Sequence, residues 1–147
     1  MTNMPIGITA KEEAYNGVVW HILGQTYTLK EHSDDSMAWH AVFPDGTFVP
    51  PHLHKTQDEF LYVLTGRYDI WLDGKEMVAR PGDLVRLPKG VPHGFFNKSG
   101  AMATSLFWAT PTRTLKTLFD RIANQTDPRE VVRMAKEHEI EFLPPPA

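Results

Sequence analysis

The 147-residue chain contains no cysteine. Disulfides, thiolate nucleophiles, iron–sulfur ligation and zinc sites built on sulfur are therefore excluded, and any chemistry must use His, carboxylate or hydroxyl groups. An excess of one charge is also missing: 15 Lys+Arg against 18 Asp+Glu give a formal net charge of −3. Nucleic acid or an anionic membrane surface would call for a basic stripe, so neither is an expected partner. No stretch approaches the roughly 18 apolar residues of a membrane span. Met1 to Ala14 has no basic residue ahead of an apolar core. No secretory signal is expected there, and the cytoplasm is the expected location.

What is present suits one domain. A chain of this length buries roughly 70% of its unfolded surface, and with 41% hydrophobic residues it can build a core without staples. Its 12 prolines and 10 glycines are scattered between short apolar runs, the punctuation of a β chain that turns often. Val18 to Leu23 and Thr26 to Leu29 suggest an early hairpin, and Trp39 to Phe43 the next strand. Phe60 to Leu64 is apolar on both faces, as in a strand inside a sandwich or barrel. Tyr68 to Leu72 and Glu76 to Ala79 flank Asp73-Gly74, a dipeptide suited to a type I′ turn. Leu84 to Leu87, His93 to Phe96 and Thr104 to Ala109 complete an antiparallel body.

After Pro111 the period changes. Leu115, Leu118, Phe119 and Ile122 recur at three and four residues, which predicts an amphipathic helix over Thr112 to Asn124. Asp127-Pro128-Arg129-Glu130 supplies an N-cap, a proline at the first helical position and a glutamate at N3, opening a second helix through His138. The tail Ile140 to Pro146 cannot continue it. We therefore expect a β body over residues 1–111. Residues 112–147 should form a helical extension covering one sheet or part of a dimer contact, not a second domain.

The chemistry sits in two blocks. The first runs Gly46, His52-Leu53-His54, Glu59, Gly66. Side chains alternate along a strand, so His52 and His54 share a face and can reach one ion at roughly 2 Å. Glu59 opens the next strand and is the natural third ligand. The second block is Gly82, Pro88, Gly90, His93 and Asn97, with Phe95 on the face of His93. His93 is an available fourth ligand.

These ten residues, at these spacings, resemble the two signature motifs of the cupin superfamily. The resemblance covers Gly46 to Asn97 closely. It implies an all-β fold, the cupin double-stranded β-helix or jelly-roll barrel, here followed by two C-terminal α-helices. It also implies one divalent transition metal (Mn, Fe, Co, Ni, Cu or Zn) held by His52, His54, Glu59 and His93. The tail ending Ile140 to Pro146 is similar to tails among small single-domain cupins related to quercetin dioxygenase. That likeness implies oxidative cleavage of an oxygenated, flavonol-like ring with metal and dioxygen.

Other readings stay beside these. The motif glycines and Pro88 are turn residues in any β protein, Asn97 is expected to brace a loop, and His21, His32 and His138 are simple surface or core histidines. The aromatic stripe of Trp39, Phe48, Phe60, Tyr62, Trp71, Phe95, Phe107 and Trp108 is expected to be mainly core. Phe95, His40 and Phe48 are the candidates for a substrate pocket. Glu59 is the candidate base if it leaves the ion.

Three neutral imidazoles and one carboxylate around a dication leave a charge of about +1, which attracts an anionic small-molecule substrate. A metal-dependent dioxygenase of a phenolic, flavonol-like or enolisable substrate is the first reading. A non-redox isomerase, lyase or decarboxylase of small acids or sugars, and a non-catalytic binding protein, are the alternatives, since fold alone does not license an activity. Small jelly rolls leave edge strands to be covered, so the strands of Val18 to Leu29 are expected to pair in a homodimer.

Overall fold

A computed structural model describes residues 6–144. Met1 to Pro5 and the tail beyond Pro144 lie outside it. Eleven strands form two antiparallel sheets. In chain order they are β1 (Val19–Ile22), β2 (Gln25–His32), β3 (Met37–Phe43), β4 (Phe48–His54), β5 (Asp58–Thr65), β6 (Tyr68–Leu72), β7 (Lys75–Ala79), β8 (Leu84–Leu87), β9 (His93–Phe96), β10 (Ala103–Thr110) and β11 (Ile140–Phe142). Two helices, α1 (Leu115–Ile122) and α2 (Pro128–Lys136), separate β10 from β11. One sheet has the order β1-β2-β3-β10-β5-β8, and the facing sheet β11-β4-β9-β6-β7. This is the jelly-roll arrangement that the motif resemblance implies, followed by two C-terminal helices.

Period-two burial fixes which side chains face inward. In β3, Met37, Trp39, Ala41 and Phe43 are buried and the residues between them are not. Phe107 of β10 stacks on Trp39 at 5.5 Å, and Leu61 and Val63 of β5 add to the same layer. The aromatic stripe is only partly core. Trp39, Phe95 and Phe107 are buried, whereas Phe60 and Trp108 stack on each other at 5.1 Å on alternate, less buried positions, and Tyr62 is exposed.

The turns have the chemistry their residues imply. Asp73 and Gly74 both adopt positive φ between β6 and β7. At Gly66, φ is +77°, and an added Cβ would lie 2.6 Å from the Met102 carbonyl oxygen. Only glycine fits between β5 and β10 there. Asn97 is buried and braces its loop, donating to the carbonyls of Phe43 and Ala101 and accepting from Ser99.

The helices are shorter than their periodicity predicts. α1 stops at Ile122, and α2 at Lys136 instead of His138. The Asp127 carboxylate caps α2 by accepting from the Arg129 N–H at 2.9 Å. Glu130 pairs with Arg133 instead of closing a capping box. The apolar stripe of α1 faces the space between the two sheets, where Leu115, Leu118, Phe119 and Ile122 are buried. The tail, expected only to end the second helix, adds β11 to the edge of the five-stranded sheet. β1 is an edge strand as expected, although the Asn124 N–H already occupies the His21 carbonyl on its rim. Among the described residues no helix is long and apolar enough to cross a membrane.

Candidate metal centre

The structure brings His52, His54, Glu59 and His93 together, all buried, with one ligand atom from each lying within 4.8 Å of the others. The imidazoles come from one sheet and the carboxylate from the sheet facing it. His52 and His54 end β4 on its inward face, and His93 opens β9 directly opposite His52 in register. Glu59 is the second residue of β5 and points inward by the alternation that also buries Leu61 and Val63. The two motifs are tied by the Gly90 N–H, which donates to the His54 carbonyl at 2.8 Å.

Each imidazole presents the same nitrogen to the centre. Nδ1 of His52 donates to the Pro50 carbonyl at 2.8 Å, that of His93 to the Val91 carbonyl at 3.2 Å, and that of His54 to Oε1 of Gln57 at 2.6 Å. All three acceptors lack a proton to give, so Nδ1 carries the hydrogen and the Nε2 lone pair is left free. Nε2 of His54 lies 2.8 Å from Oε2 of Glu59, and Nε2 of His93 lies 3.4 Å from it. Neither approach is directed as a hydrogen bond, so Glu59 Oε2 and His93 Nε2 are buried without a partner. Converging lone pairs without protons between them repel; a cation at their meeting point resolves this. The cluster therefore fits a single divalent ion held by three nitrogens and one oxygen.

The electrostatics agree. Burial alone would raise the Glu59 carboxyl, but His54 and His93 beside it hold it well below the usual carboxylate range. Burial works against a charged His54 too, yet the Glu59 carboxylate outweighs it and raises the imidazole. His52 is pushed well down, by burial first and then by the two neighbouring imidazoles. A proton and a metal ion thus compete for the position between His54 and Glu59.

Above the cluster is a cavity of ≈ 70 Å³. Its walls are apolar and come from both sheets and the C-terminal segment, among them Tyr27, Trp39, Phe95, Phe119, Ile140 and Phe142. Phe95 is 2% exposed and meets Phe107 edge-on at 5.1 Å.

Two expected pocket residues are elsewhere. His40 sits at an outward position of β3, between inward Trp39 and Ala41, and lines a surface depression with Lys30 and Glu12. Phe48 shares parity with His52 and His54 but is 48% exposed and stacks on Phe96 at 5.8 Å outside the sheet. The cause is a register shift between Val49 and His52, at Pro50-Pro51, which turns Val49 inward and Phe48 outward. Sequence reasoning missed Tyr27, Gln57 and Phe142. Only the alternation Ile140-Glu141-Phe142 in the tail was available as a signal for the last.

Residues 39–110 match the cupin domain family. The pectin degradation protein KdgF of Dickeya dadantii is 30% identical over 77 residues, 51% of this chain and 70% of KdgF. Quercetin 2,3-dioxygenase of Bacillus subtilis is 33% identical over 52 residues, 35% of this chain but only 15% of that protein. Among solved structures, an RmlC-like cupin from Shewanella frigidimarina superimposes with a TM-score of 0.66 over 76% of this chain and 96% of its own, at 20% identity. That likeness concerns the fold alone. With both motifs in place and most of KdgF's length matched, the chain belongs to the cupin family.

Proposed function

We propose that the protein is a metal-dependent dioxygenase of a small phenolic or enolisable molecule. The observation that carries this reading is the convergence of unpaired ligand atoms at the floor of an apolar cavity. A sugar or sugar acid would bring several hydroxyls into walls with few partners, each unpaired group costing about 1–3 kcal/mol. A ring with one ionisable oxygen brings only one, and an apolar cavity admits dioxygen. The cavity also limits size: its ≈ 70 Å³ is a few times the roughly 10–15 Å³ that one water needs on the same measure. A single ring or a short enolisable chain suits it, whereas a whole flavonol requires the C-terminal cover to move.

A divalent transition ion held by His52, His54, Glu59 and His93 would supply Lewis acidity toward an anionic substrate oxygen and a meeting place for dioxygen. The chain's own residues do the remainder. Glu59, where it leaves the ion, is the group that accepts the proton of the substrate hydroxyl on its carboxylate. Phe95 and Phe142 hold the ring against the histidines, and α1 and β11 exclude water. The test is turnover of single-ring phenols and enolisable diketones by metal-loaded protein at an oxygen electrode. Oxygen uptake should match substrate loss, and turnover should stop anaerobically.

The longer match to KdgF supports a second reading, a non-redox reaction of a small acid. Turnover that continues without oxygen and survives replacement of the ion by zinc would select it.

A further inference from the structure

Gln57 has a place that neither motif explains. It lies in the loop between His54 and Glu59, is 4% exposed, and spends its whole amide on two separate parts of the molecule. Oε1 accepts the Nδ1–H of His54 at 2.6 Å. Nε2 donates both hydrogens to backbone carbonyls, those of Pro111 at 2.9 Å and Thr112 at 3.2 Å. These carbonyls belong to the link between β10 and α1. The reach follows from the sheet, because Asp58 pairs with Thr110 at the end of β10, placing Gln57 beside the link. The link is held from its other side too: the Thr112 N–H donates to the Asp34 carbonyl at 3.2 Å and the Thr112 hydroxyl to the Ser33 carbonyl. Three residues beyond Thr112, Leu115 begins the helix whose apolar stripe walls the cavity.

We infer that Gln57 is a positioning residue that couples two events: it orients His54 toward the ion with one end of its amide and latches the C-terminal cover with the other. The inference rests on the metal reading above. The chemistry of one side chain separates the two functions. In Gln57→Glu the carboxylate still accepts from His54 Nδ1 but gives nothing to the Pro111 and Thr112 carbonyls. In Gln57→Leu both ends are lost at similar volume.

The experiment is titration of the metal-free full-length variants with cobalt(II), read by its d–d absorption. It is paired with hydrogen exchange of the peptide covering Leu115 to Ile122, and circular dichroism confirms the β signal. Loss of an outer hydrogen bond to a ligating histidine costs about 10- to 100-fold in metal affinity, so Q57L should bind cobalt(II) that much more weakly, with shifted bands. Q57E should bind at least as tightly as the original chain. Exchange in α1 should be about tenfold faster in both variants, the factor for two lost neutral hydrogen bonds of modest strength. Gln57→Asn, which keeps the amide but cannot span both ends, should lose one function or both, and it serves if Q57L does not fold. Equal weakening of cobalt(II) binding in Q57E and Q57L, unchanged affinity in Q57L, or unchanged α1 exchange in Q57E would overturn the assignment. If the original chain takes up no cobalt(II), the metal reading fails and this inference with it. If it binds and Q57L binds equally well, the metal reading stands and only the role of Gln57 falls.

Discussion

The ring of Phe142 lies 5.0 Å from the ring of His52, tilted by 35°, because β11 pairs with β4 so that Phe142 stands opposite His52. A residue from the end of the chain thereby forms part of the wall around a candidate ligand from the first motif. The cover is made by the strand pairing as well as by the helices.

Removing that ring should open the cavity without breaking the barrel. Phe142 is only partly buried, so Phe142→Ala should cost about 1–2 kcal/mol in chemical denaturation, less than a fully buried Phe. The same variant should lower KM for two-ring phenols relative to single-ring ones. A KM ratio unchanged from the original chain would show that Phe142 does not set substrate size.

Replacing His52 and His54 together with Ala should abolish metal uptake, measured by elemental analysis of protein purified without an affinity tag. The far-UV signal of the β sheets should persist, since the buried core also holds Phe43, Leu61, Val63 and Tyr68, which are neither ligands nor cavity walls. Full metal occupancy in the double variant would remove these residues from the ligand set.

His52 and His54 could be paired from spacing because alternation along one strand is local, whereas Glu59 and His93 joined them through the resemblance to the two cupin motifs, and the structure brings all four together. Phe48 could not be placed by the same rule. Its parity is right, but a bulge at Pro50-Pro51 inverts the faces between it and His52. His40 was ambiguous because nothing in a seven-residue strand says which alternate set faces in until Trp39 packs on Phe107. Phe142 and Gln57 act through partners distant in sequence, in β4 and in the β10–α1 link, and no local pattern encodes that meeting.

The metal-free protein should be most stable near pH 6.5. The folded-state pKa of His52 is depressed below its usual 6.5, by burial first. Its contribution is present above pH 6.5 and lost as pH falls toward the folded value. Glu59, depressed from 4.5 by His54 and His93 against the cost of burial, adds a second loss below pH 4.5. His54 has the opposite sign: the Glu59 charge raises it despite burial, so its contribution is complete below pH 6.5 and disappears as pH rises through the raised value. Bound metal replaces that proton and should extend the stable range upward. Thermal melts from pH 4 to 9, with and without cobalt(II), check this. A metal-free melting temperature that climbs steadily to pH 9 would contradict the signs assigned here.

Trp39 supplies the last expectation. It is 2% exposed and lines the cavity, and its indole N–H is buried without an acceptor. An unpaired buried donor costs about 1–3 kcal/mol, so a substrate that brings an acceptor within reach recovers part of that cost on binding. Substrates with a second oxygen beyond the ionised one should therefore be preferred. Trp39→Phe should raise their KM by roughly tenfold, the equivalent of one recovered hydrogen bond. The stability of the free protein should change by less than a typical Trp truncation, because the variant deletes the unpaired donor together with some packing. Phe119 meets the Trp39 ring edge-on at 5.3 Å and 87°, which offers a competing explanation in which the aromatic face satisfies the N–H. The two are separated by matched substrates with and without the second oxygen. Under the first, W39F penalises only the oxygenated member; an equal penalty for both would assign the N–H to Phe119 and leave Trp39 as wall.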